Sequence, residues 1–300
     1  MKKKFVMNEV VKKVTTQQAY DEFIKSRIVR NLTERSIAYY KENIGYLLRF
    51  RTLNYITDYT QSDVDDYIIH MKEMGLKDTT INIRLRAIRC WFVWANEVYD
   101  DTKLPKIKNI KQDNNIKEIH SEEDLRKLLE NPNKEKFDKY RDWVMINFLL
   151  CTGARLSSVI NVHIEDINFT SHTILFRHSK NRKQYIIPLA KQLENILLEY
   201  ISVLPSEIEY LFPTQFGTQL SAIGCQQAIR RYCIERGVDK HGVHIFRRQF
   251  ATNYAKTTHD VFRLQQLLNH SDITMSRRYV NMSAEDLSDG FDEVCILNKF

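Results

Sequence analysis

Between Tyr99 and Lys117 the apolar patterning of this 300-residue chain breaks off. Asp100, Asp101, Pro105, Lys106, Lys108, Lys111, Asn114 and Asn115 crowd into that stretch, and no helical or strand period runs through it. A polar, basic, Pro-interrupted segment flanked by long periodic runs reads as a connector between two separately packed cores. The flanks, about 100 and about 180 residues, are each long enough to bury a core. The expected division is a domain 1–99, a linker 100–117, a second domain 118–284 and a tail 285–300.

Charge follows the same division. The net +7 resides in residues 1–117, with 22 Lys and Arg against 15 Asp and Glu, whereas residues 118–300 hold 23 of each. A cationic half joined to a neutral half is the composition of a polyanion clamp, or of a solvated basic surface. No run approaches the roughly 18 apolar residues of a membrane span, and Met1–Phe5 lacks the apolar core of a secretion signal. Cys90, Cys151, Cys225, Cys233 and Cys295 are odd in number and show no C-x-x-C spacing. They read as reduced thiols without a zinc site, so the expected location is cytoplasmic.

The first hundred residues pattern as helices: Thr15 to Arg27, Thr33 to Phe50, one opened by Ser62 and stopped by Gly75, and one opened by Thr79 or Thr80. In the last, Ile81, Leu85, Ile88, Phe92 and Ala95 recur at spacings of four and three, a single buried stripe. Arg84, Arg86 and Arg89 fall off that stripe and are the expected phosphate-facing residues, with ordinary exposed charge as the alternative. In the second domain, Ser121 followed by acids opens a helix with Leu125, Leu128 and Leu129 on one face. Trp143 to Leu150 reads as a buried helix. Thr173 to Arg177 and Gln184 to Pro188 alternate as a hairpin with a cationic tip, and helices resume at 191–203, 221–236, 246–256 and 261–268.

Chemistry gathers late. Arg155 stands in Thr152-Gly153-Ala154-Arg155-Leu156-Ser157, His244 and Arg247 stand one helical turn apart, and His270 is followed by Tyr279. Arginine is planar, permanently charged and a bidentate match for phosphate oxygens. A phosphodiester offers no easily polarised carbonyl, so its cleavage depends on positioning and charge neutralisation, and a phenol is a nucleophile that could attack it. Each residue alone is a weak signal: an isolated Tyr is usually core, and Lys180 is one of several lysines at a hairpin tip.

Taken in order, the segments resemble the tyrosine recombinases of the phage integrase family, of Xer-like or mobile-element type. Residues 152–157 resemble that family's first arginine box. His244-Ile245-Phe246-Arg247-Arg248-Gln249-Phe250-Ala251-Thr252 resembles the second, and Leu268-Asn269-His270 through Tyr279 resembles its His-to-Tyr segment. Lys180, read against the Ile187-Pro188-Leu189 ending, aligns with the hairpin lysine. The likeness covers about residues 118–290, and the N-terminal helices fit the core-binding domain by size, helicity and charge. There are departures. Ser158 stands where an acid three residues after the first arginine is usual, and Asn269 replaces a glycine, a position where Asn tolerates left-handed backbone. Phe246 and Gln249 are variations beside the active positions.

The resemblance implies a mainly α fold with a small β-sheet: a helical core-binding domain and a mixed, mostly helical catalytic domain. It implies a site-specific recombinase in which Tyr279 attacks DNA to form a 3′-phosphotyrosyl bond. Arg155, Arg247 and His270 would hold the phosphate, Lys180 would protonate the leaving oxygen and His244 would assist proton transfer. No cofactor and no metal enter this chemistry. The implied partners are double-stranded DNA at a specific site, further copies of the chain in a synaptic tetramer, and accessory DNA-bending proteins, with no membrane. Arg248, Arg277 and Arg278 are expected phosphate contacts or surface charge, and the amphipathic 285–300 tail is expected to dock on a neighbouring protomer or on its own domain. A type IB topoisomerase, a telomere-resolving enzyme and an inactive recombinase-like DNA-binding protein are the alternatives. The presence of all six reacting groups argues against the last.

Overall fold

Side-chain caps start several of the helices. The Thr15 and Thr33 hydroxyls accept from the backbone of the first turn of α1 (Thr16–Val29) and α2 (Glu34–Phe50). α3 (Gln61–Glu73) opens on a reciprocal capping box between Thr60 and Asp63. The cap is thus Thr60, two residues before Ser62: Asp63 reaches back to the Thr60 backbone and also pairs with Arg51, so the acid closes the turn. Gly75, at φ +70°, lets the chain reverse after α3. α4 (Asp78–Val98) starts earlier than Thr79 and carries no side-chain cap. A computed structural model describes residues 13–99, 102–112, 118–132, 136–177, 184–270, 272–277 and 279.

The chain forms two compact units, 1–115 and 116–300. In the first, α4 is the central helix, with α1, α2 and α3 against it. Its stripe of Ile81, Leu85, Ile88, Phe92 and Ala95 is fully buried. Trp91, also fully buried, donates from its indole to the Ala19 carbonyl at 3.2 Å. Part of the expected linker belongs to this core. Leu104 and Ile107 are buried, the Asn96 side chain accepts from the Leu104 amide, and Asn82 accepts from the Ile110 amide while donating back to its carbonyl. Two apolar side chains and two Asn clasps fold 102–112 onto α4, which its polar composition concealed.

Arg84 also departs from expectation. It is buried, with its guanidinium 3.7 Å from the centre of the Tyr46 ring, a cation–π placement that an off-stripe position can reach when an aromatic side chain from α2 covers it. Arg86 is exposed, and Arg89 is half-buried against the Asn109 side chain.

The second unit is organised around α6 (Phe137–Thr152), buried along most of its length and packed by α5 (Glu122–Leu129), α8 (Lys191–Ser202), α9 (Ala222–Glu235) and α10 (Val243–Thr258). Of the predicted α5 face, Leu128 is fully buried and Leu129 is 41% exposed. A three-stranded antiparallel sheet lies between α7 (Leu156–Val159) and α8: β1 (Ile167–Asn168), β2 (Thr173–Phe176) and β3 (Tyr185–Pro188), in that order. The β2–β3 hairpin pairs Ile174 with Ile187, and both side chains enter the core. Its tip, Lys180 included, lies outside the described residues. α11 (Val261–Leu267) and the short α12 (Thr274–Arg277) follow α10 and are the last helices among the described residues. No helix among the described residues is long and apolar enough to cross a membrane.

Candidate active site

The site is built on two left-handed turns. The first ends α6, where Gly153 takes φ +59°. A Cβ there would meet Phe250 Cδ1 at 2.5 Å, so both the backbone conformation and the space call for glycine. This turn aims the Gly153 carbonyl at α10, where it accepts from Arg247 at 2.8 Å, and it delivers Arg155 as the residue that opens α7.

The second turn ends α11. Asn269 takes φ +47°, the amide of Asn269 bonds to the Gln266 carbonyl and that of His270 to the Gln265 carbonyl. This is a Schellman termination with Asn in the left-handed position, the conformation its replacement of glycine anticipated. The turn presents two consecutive carbonyls to the arginines: Leu268 accepts from Arg247 at 2.7 Å and Asn269 from Arg155 at 2.9 Å. Both guanidiniums are thus held by neutral backbone oxygens, which leave their positive charge uncancelled.

Electrostatics report the crowding. Burial and the neighbouring Arg155 bring Arg247 down to about 10, and burial lowers Arg155. His270, also buried, is lowered to about 4, first by desolvation and then by the charges of Arg247 and Arg155. It is therefore a neutral imidazole near pH 7. Its Nδ1 lies 2.8 Å from Ser276 Oγ. A largely buried, positively charged cluster of this kind is stabilised by a bound anion.

Tyr279 reaches the same place from its own chain. Its ring packs against Ala251, Ala255, Leu264 and Leu268 on α10 and α11, its amide bonds to the Ser276 carbonyl, and its phenol favours the charged form of Arg247. His244 is exposed on the first turn of α10, one turn before Arg247. Arg155, Arg247, His270 and Tyr279 are therefore brought into one neighbourhood from four segments.

Two residues were missed from the sequence. Tyr185 on β3 stacks on Phe176, and its hydroxyl favours the charged forms of both Arg155 and Arg247. Only its nearness to the hairpin lysine hinted at it. Ser276 gave no signal beyond lying three residues before Tyr279.

Arg248 is bound locally: it donates to the Glu118 carbonyl at 2.7 Å. Gln249 accepts from the His120 amide, the His120 ring meets the Lys240 carbonyl and Lys240 donates to the Ile119 carbonyl. Residues 118–120 are therefore fastened to α10 beside its reactive face. Arg277 is exposed, and Arg278 and the 285–300 tail lie outside the described residues.

The fold recurs in solved structures. A Tn1549 transposon integrase in complex with a circular intermediate DNA matches with a TM-score of 0.75 at 19% identity, over 94% of this chain and 100% of that one. A lambda integrase dimer bound to a COC′ core site matches with a TM-score of 0.72 at 17% identity, over 95% and 81%. Among sequences, tyrosine recombinase XerC of Haemophilus influenzae is 24% identical over 89% of this chain and 93% of its own. Tyrosine recombinase XerD of Staphylococcus epidermidis is 25% identical over 91% and 96%. The model of the phage integrase family matches residues 119–286, which takes in both arginine turns, the hairpin, α10, α11 and Tyr279. With more than half its length matched in this way, the chain belongs to the phage integrase family.

Proposed function

We propose that this chain is a site-specific DNA recombinase that cuts and rejoins DNA through a phosphotyrosyl intermediate. The observation that carries the reading is the convergence of Arg155, Arg247, His270 and Tyr279 on one neighbourhood, with neither arginine ion-paired among the described residues. A scissile phosphate seated there would have its non-bridging oxygens bound by the two guanidiniums and by the imidazole N–H. The Tyr279 oxygen attacks phosphorus, a bond forms between them, and the 5′-oxygen leaves. His244, at the exposed start of α10, takes up the phenolic proton, and Lys180, by the family resemblance, protonates the leaving oxygen. The covalent bond conserves the energy of the broken one, so a second 5′-hydroxyl can reverse the step on a new strand without ATP.

The partners follow from this chemistry and from the relatives. Lambda integrase has been seen as a tetramer bound to a Holliday junction, and we assign this chain the same class of partners: duplex DNA at a specific site and further copies of itself. Arg86, exposed on α4 of the basic N-terminal unit, is a proposed phosphate contact, as is exposed Arg277. We assign the chain a cytoplasmic setting, which its free thiols Cys90, Cys151, Cys225 and Cys233 fit, Cys151 being exposed.

The test is a duplex nicked beside the cleavage position, so that the released fragment diffuses away and traps the adduct. The expected result is a protein–DNA band that survives denaturation and is lost in Tyr279→Phe. Site-independent plasmid relaxation, or no adduct on any DNA recovered with the protein from cells, would overturn the reading.

A further inference from the structure

We propose that Ser276 is a positioning residue: its hydroxyl donates to His270 Nδ1, fixing the imidazole as the tautomer that carries its proton on Nε2, and the same bond ties the Tyr279 segment to the cage. The inference rests on the recombinase reading and deepens it.

The geometry is specific. Ser276 Oγ and His270 Nδ1 are 2.8 Å apart, Ser276 is 0% exposed and His270 8%. The direction of the bond follows from the inventory of donors. A hydroxyl carries one hydrogen, and a neutral imidazole carries one N–H. Among the described residues, Nδ1 is the one hydrogen-bond partner of the Ser276 hydroxyl. If Nδ1–H were the donor, the buried hydroxyl hydrogen would have no acceptor among the described residues. An unmade buried hydrogen bond costs about 1–3 kcal/mol. With the hydroxyl donating, every hydrogen has a place, and Nε2–H is left as the donor available to an anion. The imidazole is neutral because burial and two guanidiniums disfavour its cation, so its tautomer decides whether the free nitrogen donates to a phosphate oxygen or repels it.

Ser276 does a second thing through its backbone. It lies on α12, and the Tyr279 amide donates to its carbonyl at 3.1 Å. One buried bond thus sets the proton of one reacting group and the anchorage of another. Neither effect requires Ser276 to touch DNA.

The test uses the full chain. In ¹⁵N-histidine NMR of the DNA-free protein at neutral pH, His270 should show the shift pattern of an Nε2–H tautomer, and Ser276→Ala should turn it into a mixture. In single-turnover cleavage of the nicked substrate, Ser276→Ala should slow adduct formation roughly 10–100-fold with duplex affinity unchanged, while Ser276→Thr, which keeps the hydroxyl, restores the rate to within roughly threefold. A wild-type spectrum showing Nδ1–H overturns the proposal, as does wild-type cleavage by Ser276→Ala. If Ser276→Ala fails to fold, the wild-type and Ser276→Thr spectra still decide. Failure of the wild type to form any adduct sinks the recombinase reading, and the NMR result then stands apart from it.

Discussion

Ser158 Oγ lies 3.4 Å from Tyr185 Oη, at the position three residues after Arg155 where members of the phage integrase family usually carry an acid. A serine cannot cancel or orient a guanidinium by charge. Tyr185, brought in by β3 and braced on Phe176, lies near enough to both arginines to favour their charged forms. Tyr185→Phe should therefore slow cleavage by about tenfold while leaving the melting temperature nearly unchanged. Equal rates for variant and wild type would show that the hydroxyl contributes nothing.

Arg247 is bound to two carbonyls from different turns, and a lysine cannot reproduce that fork. Arg247→Lys should lower single-turnover cleavage by about 10²–10³-fold, the usual loss when one preorganised donor to a transition state goes. Binding to the DNA site should fall far less. A matched fall in both would mean that the residue serves affinity alone.

Gly153→Ala should destabilise the second unit by about 2–4 kcal/mol, combining left-handed strain with overlap on Phe250. Asn269→Gly, at the other left-handed turn, should be close to neutral because glycine adopts that backbone freely. Thermal or urea unfolding of both variants checks the contrast. An unperturbed Gly153→Ala would refute the steric account.

His270 gives the protein a defined acid sensitivity. The unfolded chain takes up this proton near pH 6.5, the folded one at about 4. Below pH 6.5 the unfolded state is the better proton binder, so stability falls as pH drops and levels off below about 4. The full loss is about 3 kcal/mol. His270→Gln should flatten the dependence of melting temperature on pH between about 6.5 and about 4. Parallel curves for wild type and variant would remove His270 as the cause.

The elements legible in the sequence were those whose signals are local. The Ile81-to-Ala95 stripe, the Thr173-to-Pro188 alternation and the apolar run before Thr152 each state a period within a few turns of chain. What escaped were features decided by distant partners. β1 is two residues long and exists because Ile174 pairs across to Ile167. Arg84 is buried because Tyr46, 38 residues earlier, supplies a ring. The segments carrying Arg155, Arg247, His270 and Tyr279 stood out by family resemblance, but their meeting depends on two left-handed turns. Of those, Gly153 is visible as a glycine and Asn269 only as an exception. Tyr185 and Ser276 were illegible because each acts through a neighbour that the fold supplies.

The fastening of residues 118–120 has a mechanical meaning. Arg248 and Gln249, which hold the incoming backbone, directly follow Arg247 on one rigid cylinder. The backbone path at 118–120 is therefore registered directly on the helix that carries His244 and Arg247, so a shift in one is a shift in the other.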